Sequence, residues 1–156
     1  MDKEPPFREP SRETPRTEPQ LTNLQKAEFI RGVELFSAAT VEELFRLASI
    51  AREIQFGAGE IVARENDMAN ALYVIVQGKV ELSSRNDAWQ DLLESGQAFG
   101  MHSLLTREPL TFTARAVADT FALAMGGEDF FSLLSNDPEI LSSLFKFFVK
   151  KYGMAR

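Results

Sequence analysis

Short segments with alternating apolar and polar residues, separated by turns, fill the middle of the chain. Glu53–Phe56 and Lys79–Ser83 alternate in this way, and Asn70–Val76 is a β-branched and aromatic run. Glycines stand at the turns, at positions 57, 59, 78, 96 and 100. Strands that recur about every 8–12 residues with turn signals between them are typical of an antiparallel β-sandwich or barrel. The pattern predicts that residues 51–125 fold mainly as β-structure.

Helical patterns flank this β-region. Thr40–Glu43 is a capping box, in which the threonine and glutamate side chains satisfy each other's free backbone amides. Asp137–Pro138 places an N-cap residue directly before a proline at the first helical position. These signals predict helices within residues 21–50 and again within residues 128–152.

Residues 1–20 differ from the rest of the chain in composition. They hold five of the seven prolines, and their only large apolar residues are Met1 and Phe7. Such a segment buries too little apolar surface to offset its chain entropy, so we predict a disordered tail before a domain of residues 21–156. No apolar stretch is typical of a secretory signal or a membrane span, which predicts a cytoplasmic protein without membrane insertion.

Charge and composition exclude several classes of function. The formal net charge is −6, so the chain has no electrostatic attraction to nucleic acid. It has no cysteine and a single histidine, His102, which argues against metal sites built from those residues. No acid is placed to orient His102 for nucleophilic catalysis. We therefore expect no enzyme activity, no metal and no cofactor.

The order of the segments, from about Leu35 to Tyr152, resembles the cyclic nucleotide-binding domain. The stretches that carry the resemblance are Phe56–Ile61, Leu72–Val80, Gly96–Gly100, Ser103–Leu105, Leu123–Met125 and Asp137–Glu139. The resemblance implies an antiparallel β-barrel of the jelly-roll type with N-terminal and C-terminal helices. It also implies a phosphate-binding cassette that begins near Gly96.

The cassette departs from the family pattern at the residues that bind the ligand. The family's glutamate, which accepts hydrogen bonds from the ribose, is replaced by Met101. The family's arginine, which binds the cyclic phosphate, is replaced by Leu110. The resemblance therefore implies a vestigial site made of Gly100, Met101, His102, Ser103, Leu104, Leu110 and Thr111.

Two hypotheses follow for function. The first is a stand-alone regulatory or interaction module that does not bind cyclic AMP or cyclic GMP in the usual way. The alternative is a sensor of a different small ligand, or of a cyclic nucleotide through a re-tooled pocket. His102, Arg107 or Arg115 would then replace the missing phosphate contact, although each is also explained as an ordinary surface charge.

The C-terminal helix is more apolar than one contact face requires. Phe145, Phe147 and Phe148 lie together near its end. One interpretation is full burial against the β-region and the N-terminal helices. The other is a homodimer, or a protein partner, held through these three side chains.

Overall fold

The computed structural model describes residues 21–85 and 88–152. The tail predicted for residues 1–20 lies outside the described residues. Three helical elements precede the sheets. They are α1 (Asn23–Arg31), a 3₁₀ turn (Glu34–Phe36) and α2 (Val41–Ile50). The predicted capping box of Thr40 and Glu43 is confirmed, and α1 begins with a second one, between Thr22 and Gln25.

The β-region consists of two antiparallel four-stranded sheets. The strands are β1 (Ala51–Phe56), β2 (Ile61–Ala63), β3 (Ala71–Gln77), β4 (Val80–Ser84), β5 (Trp89–Leu93), β6 (Ala98–Phe99), β7 (Thr113–Ala116) and β8 (Thr120–Gly126). The first sheet has the order β1-β8-β3-β6 and the second the order β2-β7-β4-β5. The mainly β, jelly-roll fold with flanking helices is therefore confirmed.

The expected closed barrel is wrong in one respect, because the two sheets do not join. Among the described strands, every pairing lies within one sheet or the other. The strands at the sheet edges include β2, of three residues, and β6, of two. Register shifts also interrupt the ladder between Ile61 and Ala63 and between Ile75 and Gln77. The first shift lies at the edge strand β2, whereas the second lies between the central strands β3 and β8. The edge strands β2 and β6 are thus too short to extend strand pairing around a barrel.

Three more helices complete the fold. They are α3 (Met101–Thr106), α4 (Gly127–Asn136) and α5 (Pro138–Tyr152). Asp137 precedes α5 as predicted, and its carboxylate accepts a hydrogen bond from the Glu139 amide at 3.2 Å. The guanidinium of Arg46 on α2 also contacts Asp137 and fixes the start of α5 against α2. No helix in the described part of the chain is both long and apolar enough to cross a membrane.

Strand β3 separates two hydrophobic cores. Leu72 and Val74 point to one face and pack with the helices, in a cluster that we call the helical core. Tyr73 and Ile75 point to the other face and pack between the two sheets, in a cluster that we call the inter-sheet core. Because side chains alternate along a strand, a run that is apolar at every position serves both cores. This arrangement places Tyr73 beneath the cassette.

Candidate functional site

A cleft lies where the cassette meets the first sheet and the loop between β2 and β3. Its lining comes from Ala63, Arg64, Asp67, Met68, Ala69, Asn70, Ala71, Tyr73, Phe99, Gly100 and Leu110. The empty space is about 310 Å³ when it is counted out to open solvent. The enclosed part has room for about one water molecule at most. The cleft is therefore a shallow depression and not a deep cavity.

Aromatic side chains fill the space beneath the cleft. The rings of Tyr73 and Phe99 stack with centroids 5.1 Å apart. Phe56 contacts Tyr73 edge-on at 6.1 Å, and Phe112 contacts Phe99 edge-on at 6.3 Å. We call these four residues the aromatic column. Tyr73 is only 5% exposed. Its burial raises the pKa of the hydroxyl well above the usual range, so the ring is held in the neutral form.

Gly100 and Leu110 are the predicted site residues that line the cleft. Gly100 has a φ of 106°, and a Cβ atom there would lie 2.7 Å from the carbonyl oxygen of Ala71. Only glycine allows this conformation together with so close an approach to β3. Leu110 is 4% exposed. Its amide donates to the Asp67 carbonyl oxygen at 2.8 Å, and its own carbonyl accepts from the Asn66 amide at 2.8 Å.

The other predicted site residues do not line the cleft. Met101 and Leu104 are 7% and 5% exposed and pack in the helical core, on the opposite side of α3. Ser103 is buried and hydrogen-bonds to backbone groups of Ala69 and Glu108. His102 and Thr111 are exposed. The side chain at position 101, to which the resemblance assigns the family's glutamate, thus belongs to the core.

Neither arginine considered as a replacement phosphate ligand lines the cleft. The guanidinium of Arg107 lies over the Phe131 ring of α4, 5.3 Å from its centroid. Arg115 donates from Nη1 to the Gly59 carbonyl oxygen at 3.0 Å. The arginine that does line the cleft is Arg64, which the sequence reasoning missed. No local sequence pattern indicated this, because the place of Arg64 at the cleft depends on the pairing of the following loop with Leu110.

Three carboxylates lie close together where α2 meets the start of α5. Oxygens of Glu43, Asp137 and Glu139 lie within 4.8 Å of one another. Glu43 Oε1 accepts hydrogen bonds from the Thr40 amide at 3.1 Å and from Ser143 Oγ at 2.9 Å. Asp137 contacts the guanidinium of Arg46. These partners explain the cluster as the joint between α2 and α5, without a metal ion.

The phenylalanines of α5 occupy different environments. Phe145 is 61% exposed, and Leu141, one helical turn earlier, is 49% exposed. Phe147 and Phe148 are half-buried and meet edge-on, with centroids 5.2 Å apart. Ile140 and Leu144 face the helical core. The helix is therefore buried on one side, and Leu141 and Phe145 leave an apolar strip on another.

The sequence of the chain is similar to those of proteins whose names refer to cyclic nucleotides. A family described as the cyclic nucleotide-binding domain matches residues 53–137, which run from β1 to the start of α5. A cyclic AMP receptor protein from Thermus thermophilus is 30% identical over 119 residues, covering 74% of this chain and 55% of that protein. A cyclic nucleotide-gated potassium channel from Rhizobium etli is 24% identical over 126 residues, covering 81% and 35%.

Solved structures show the same fold. The N-terminal domain of a transcriptional regulator from Streptomyces coelicolor superposes with a TM-score of 0.70 and 26% identity, covering 82% of this chain and 94% of that one. The catabolite activator protein of Thermus thermophilus superposes with a TM-score of 0.66 and 28% identity, covering 78% and 59%. The chain spans between about a third and about half of the length of the two curated relatives described above.

Proposed function

Because the chain belongs to the cyclic nucleotide-binding domain family, we propose that it is a regulatory or interaction module that does not bind cyclic AMP or cyclic GMP in the family's usual way. The proposal involves no catalysis, since the single histidine, His102, is exposed on α3. The observation that carries the proposal is the filled cleft. Leu110 closes its edge and the aromatic column occupies the space beneath it.

The position of Met101 supports the proposal independently. A ligand-binding glutamate must present its carboxylate to the ribose, whereas Met101 is packed among apolar side chains of the helical core. The phosphate contact is also replaced, since Leu110 has no charge. Each lost charge-assisted hydrogen bond is worth about 1.5–3 kcal/mol. Losing both corresponds to roughly a 10²–10⁴-fold weaker affinity for a cyclic nucleotide.

The exposed side of α5 is the proposed interaction surface. Phe145 and Leu141 present a strip that is roughly half exposed or more, while Ile140 and Leu144 anchor the helix in the helical core. Large aromatic side chains in an apolar patch are typical anchors of protein interfaces. We propose a second copy of the chain as the partner, bound through Leu141 and Phe145. Phe147 and Phe148 would contribute less, because Phe147 lies about 200° around the helix from Phe145 and Phe148 packs against the helical core.

A second candidate function is supported by Arg64. Its exposed side chain lines the cleft together with Asp67 and Asn70, above the apolar surface of Phe99 and Leu110. A cation beside an apolar wall suits a small anion with an apolar body. The second candidate is therefore a sensor of such a ligand, which the re-tooled cassette would accept in place of a cyclic nucleotide.

Thermal unfolding in the presence of ligands tests these proposals. A site with micromolar affinity would stabilise the protein by about 4 kcal/mol at roughly 1 mM ligand. That stabilisation would raise the melting temperature by roughly 8 °C or more. We expect no rise with cyclic AMP or cyclic GMP, and a rise of that size would contradict the main proposal. A panel of small carboxylates and phosphates tests the second candidate, with Arg64→Ala to remove the cation and Arg115→Ala as the matched control.

A further inference from the structure

The residues 100–112, which we call the cassette segment, are fastened at several points by the chain's own groups. We propose that these contacts lock the cassette segment in one closed conformation, with Ser103 as the positioning residue, and that Arg107 fixes α4 to it. The state of the module would then be set by its own packing and not by a ligand in the cleft. This inference rests on the proposed function and extends it from ligand binding to regulation.

Ser103 joins two loops that are distant in sequence. Its hydroxyl accepts a hydrogen bond from the Ala69 amide at 3.1 Å and donates one to the Glu108 carbonyl oxygen at 2.6 Å. The side chain is 3% exposed, so water does not compete for these groups. Ser103 thereby ties the β2–β3 loop to the connection between α3 and β7.

Leu110 makes a second fastening between the same two loops. It exchanges a pair of backbone hydrogen bonds with Asn66 and Asp67, each 2.8 Å long. Asn66 has a φ of 76°, in the left-handed region that asparagine tolerates better than most residues. The pairing holds the β2–β3 loop against the connection between α3 and β7, and the buried Leu110 side chain lines the cleft beside it.

Arg107 connects the cassette segment to the C-terminal helices. Its backbone has a φ of 62°, and its amide donates to the Ser103 carbonyl oxygen at 2.9 Å, which ends α3. From that turn the guanidinium reaches the Phe131 ring, whose face attracts a cation. Phe131 itself packs against the helical core. The conformation at Ser103 is thereby coupled to α4.

Because these contacts already hold the cassette segment closed, a ligand in the cleft would change its conformation little. A ligand shifts a conformational equilibrium only by the difference in its affinity for the two states. When the closed state is already held by Ser103, Leu110 and Arg107, an open state is scarcely populated. We therefore predict that backbone amides of the cassette segment are protected from hydrogen exchange in the isolated protein.

Residue-resolved amide hydrogen exchange tests the lock, because protection reports local opening. In the wild type we expect the amides of Asn66, Ala69 and Leu110 to be protected well beyond those of an open loop. Ser103→Ala should lower their protection by about tenfold or more, since it removes two hydrogen bonds and each is worth about fivefold net. The matched control is Ser143→Ala, because Ser143 is also a buried serine whose hydroxyl bonds two oxygens elsewhere, those of Glu43 and Ala38. Ser143→Ala should leave the protection of these three amides unchanged. The Val74 amide in β3 serves as the internal reference for each variant.

Unprotected amides in the wild type, or equal effects of the two serine changes, would overturn the lock. Arg107→Asn provides a second test that does not disturb a buried group, since asparagine keeps the left-handed turn and removes the guanidinium. It should lower the protection of the α4 amides around Phe131, and unchanged exchange there would refute the coupling to α4. The outcomes separate the two proposals. Saturable cyclic AMP binding with protected amides contradicts only the proposed function, whereas open amides without binding contradict only the lock.

Discussion

The cassette segment and α5 both carry large apolar residues, but at the positions proposed for function they place them in different environments. In the cassette segment Met101 and Leu110 are each less than one-tenth exposed, and only Leu105 is exposed, at 37%. In α5 Ile140 and Leu144 are buried in the helical core, whereas Leu141 and Phe145 are 49% and 61% exposed. The two regions therefore differ in whether their apolar side chains are buried or left at the surface.

Under the proposed function, the difference separates a binding site that is closed from a surface that is used. A charged group left in a half-apolar cavity is costly unless it is paired. Apolar residues at positions 101 and 110 avoid that cost, and Met101 packs in the helical core. The exposed strip of α5 is the surface that we propose for the interaction with a second copy. Three experiments separate these roles.

Met101→Glu should have the largest effect. It places a carboxylate in the helical core, where Met101 is 7% exposed and packs with apolar side chains. We expect a loss of about 3–5 kcal/mol in the free energy of unfolding, measured by urea denaturation. His102→Glu is the matched control on the adjacent, exposed position, and it should change stability by only about 0.5 kcal/mol. Similar losses of stability for both variants would show that the side chain at position 101 is not buried in the helical core.

Phe145→Glu tests whether the exposed strip of α5 forms the proposed dimer interface. Sedimentation of the wild type should show a dimer that dissociates on dilution, and the variant should be a folded monomer. Loss of an aromatic anchor costs about 2 kcal/mol or more, which weakens a dimer by roughly 30-fold. Leu24→Glu is the control, since Leu24 is 55% exposed on α1 and lies outside the proposed surface. A wild type that remains monomeric at high concentration would contradict the interface.

Tyr73→Phe should have a smaller effect that depends on pH. Burial raises the pKa of Tyr73, so the folded state favours the neutral phenol. The stability from this group is fully present below the unfolded pKa of about 10 and is lost as the pH rises above it. We expect the wild type to lose about 1.4 kcal/mol per pH unit more than Tyr73→Phe in that alkaline range. Parallel pH profiles of unfolding would contradict a sealed aromatic column.

The local features of the fold could be predicted from the sequence, because they depend on neighbouring residues. The Thr40–Glu43 capping box, the Asp137 cap and the alternating strands are of this kind. Whether the two sheets join could not be predicted, since it depends on which strands pair, and pairs such as β2 with β7 and β3 with β8 are distant in sequence.

The candidate site was predictable only in part. The resemblance identifies Met101 and Leu110 by position, but the direction of each side chain depends on how α3 docks. Both are buried, yet Leu110 lines the cleft and Met101 faces the helical core. The backbone pairing of Leu110 with Asn66 and Asp67 joins segments more than 40 residues apart, which no local pattern reports. The contribution of Arg64 was missed for the same reason.

Calorimetric titration of the wild-type protein with cyclic AMP tests the central claim most directly, because heat reports binding whether or not the cassette moves. In the proposed function the cleft lacks both charged contacts of the family, and the aromatic column fills the space beneath it. We predict no saturable heat up to about 100 μM ligand, because losing two charge-assisted hydrogen bonds would weaken a micromolar site to a Kd of roughly 100 μM or more. Saturable binding with a micromolar Kd would contradict it.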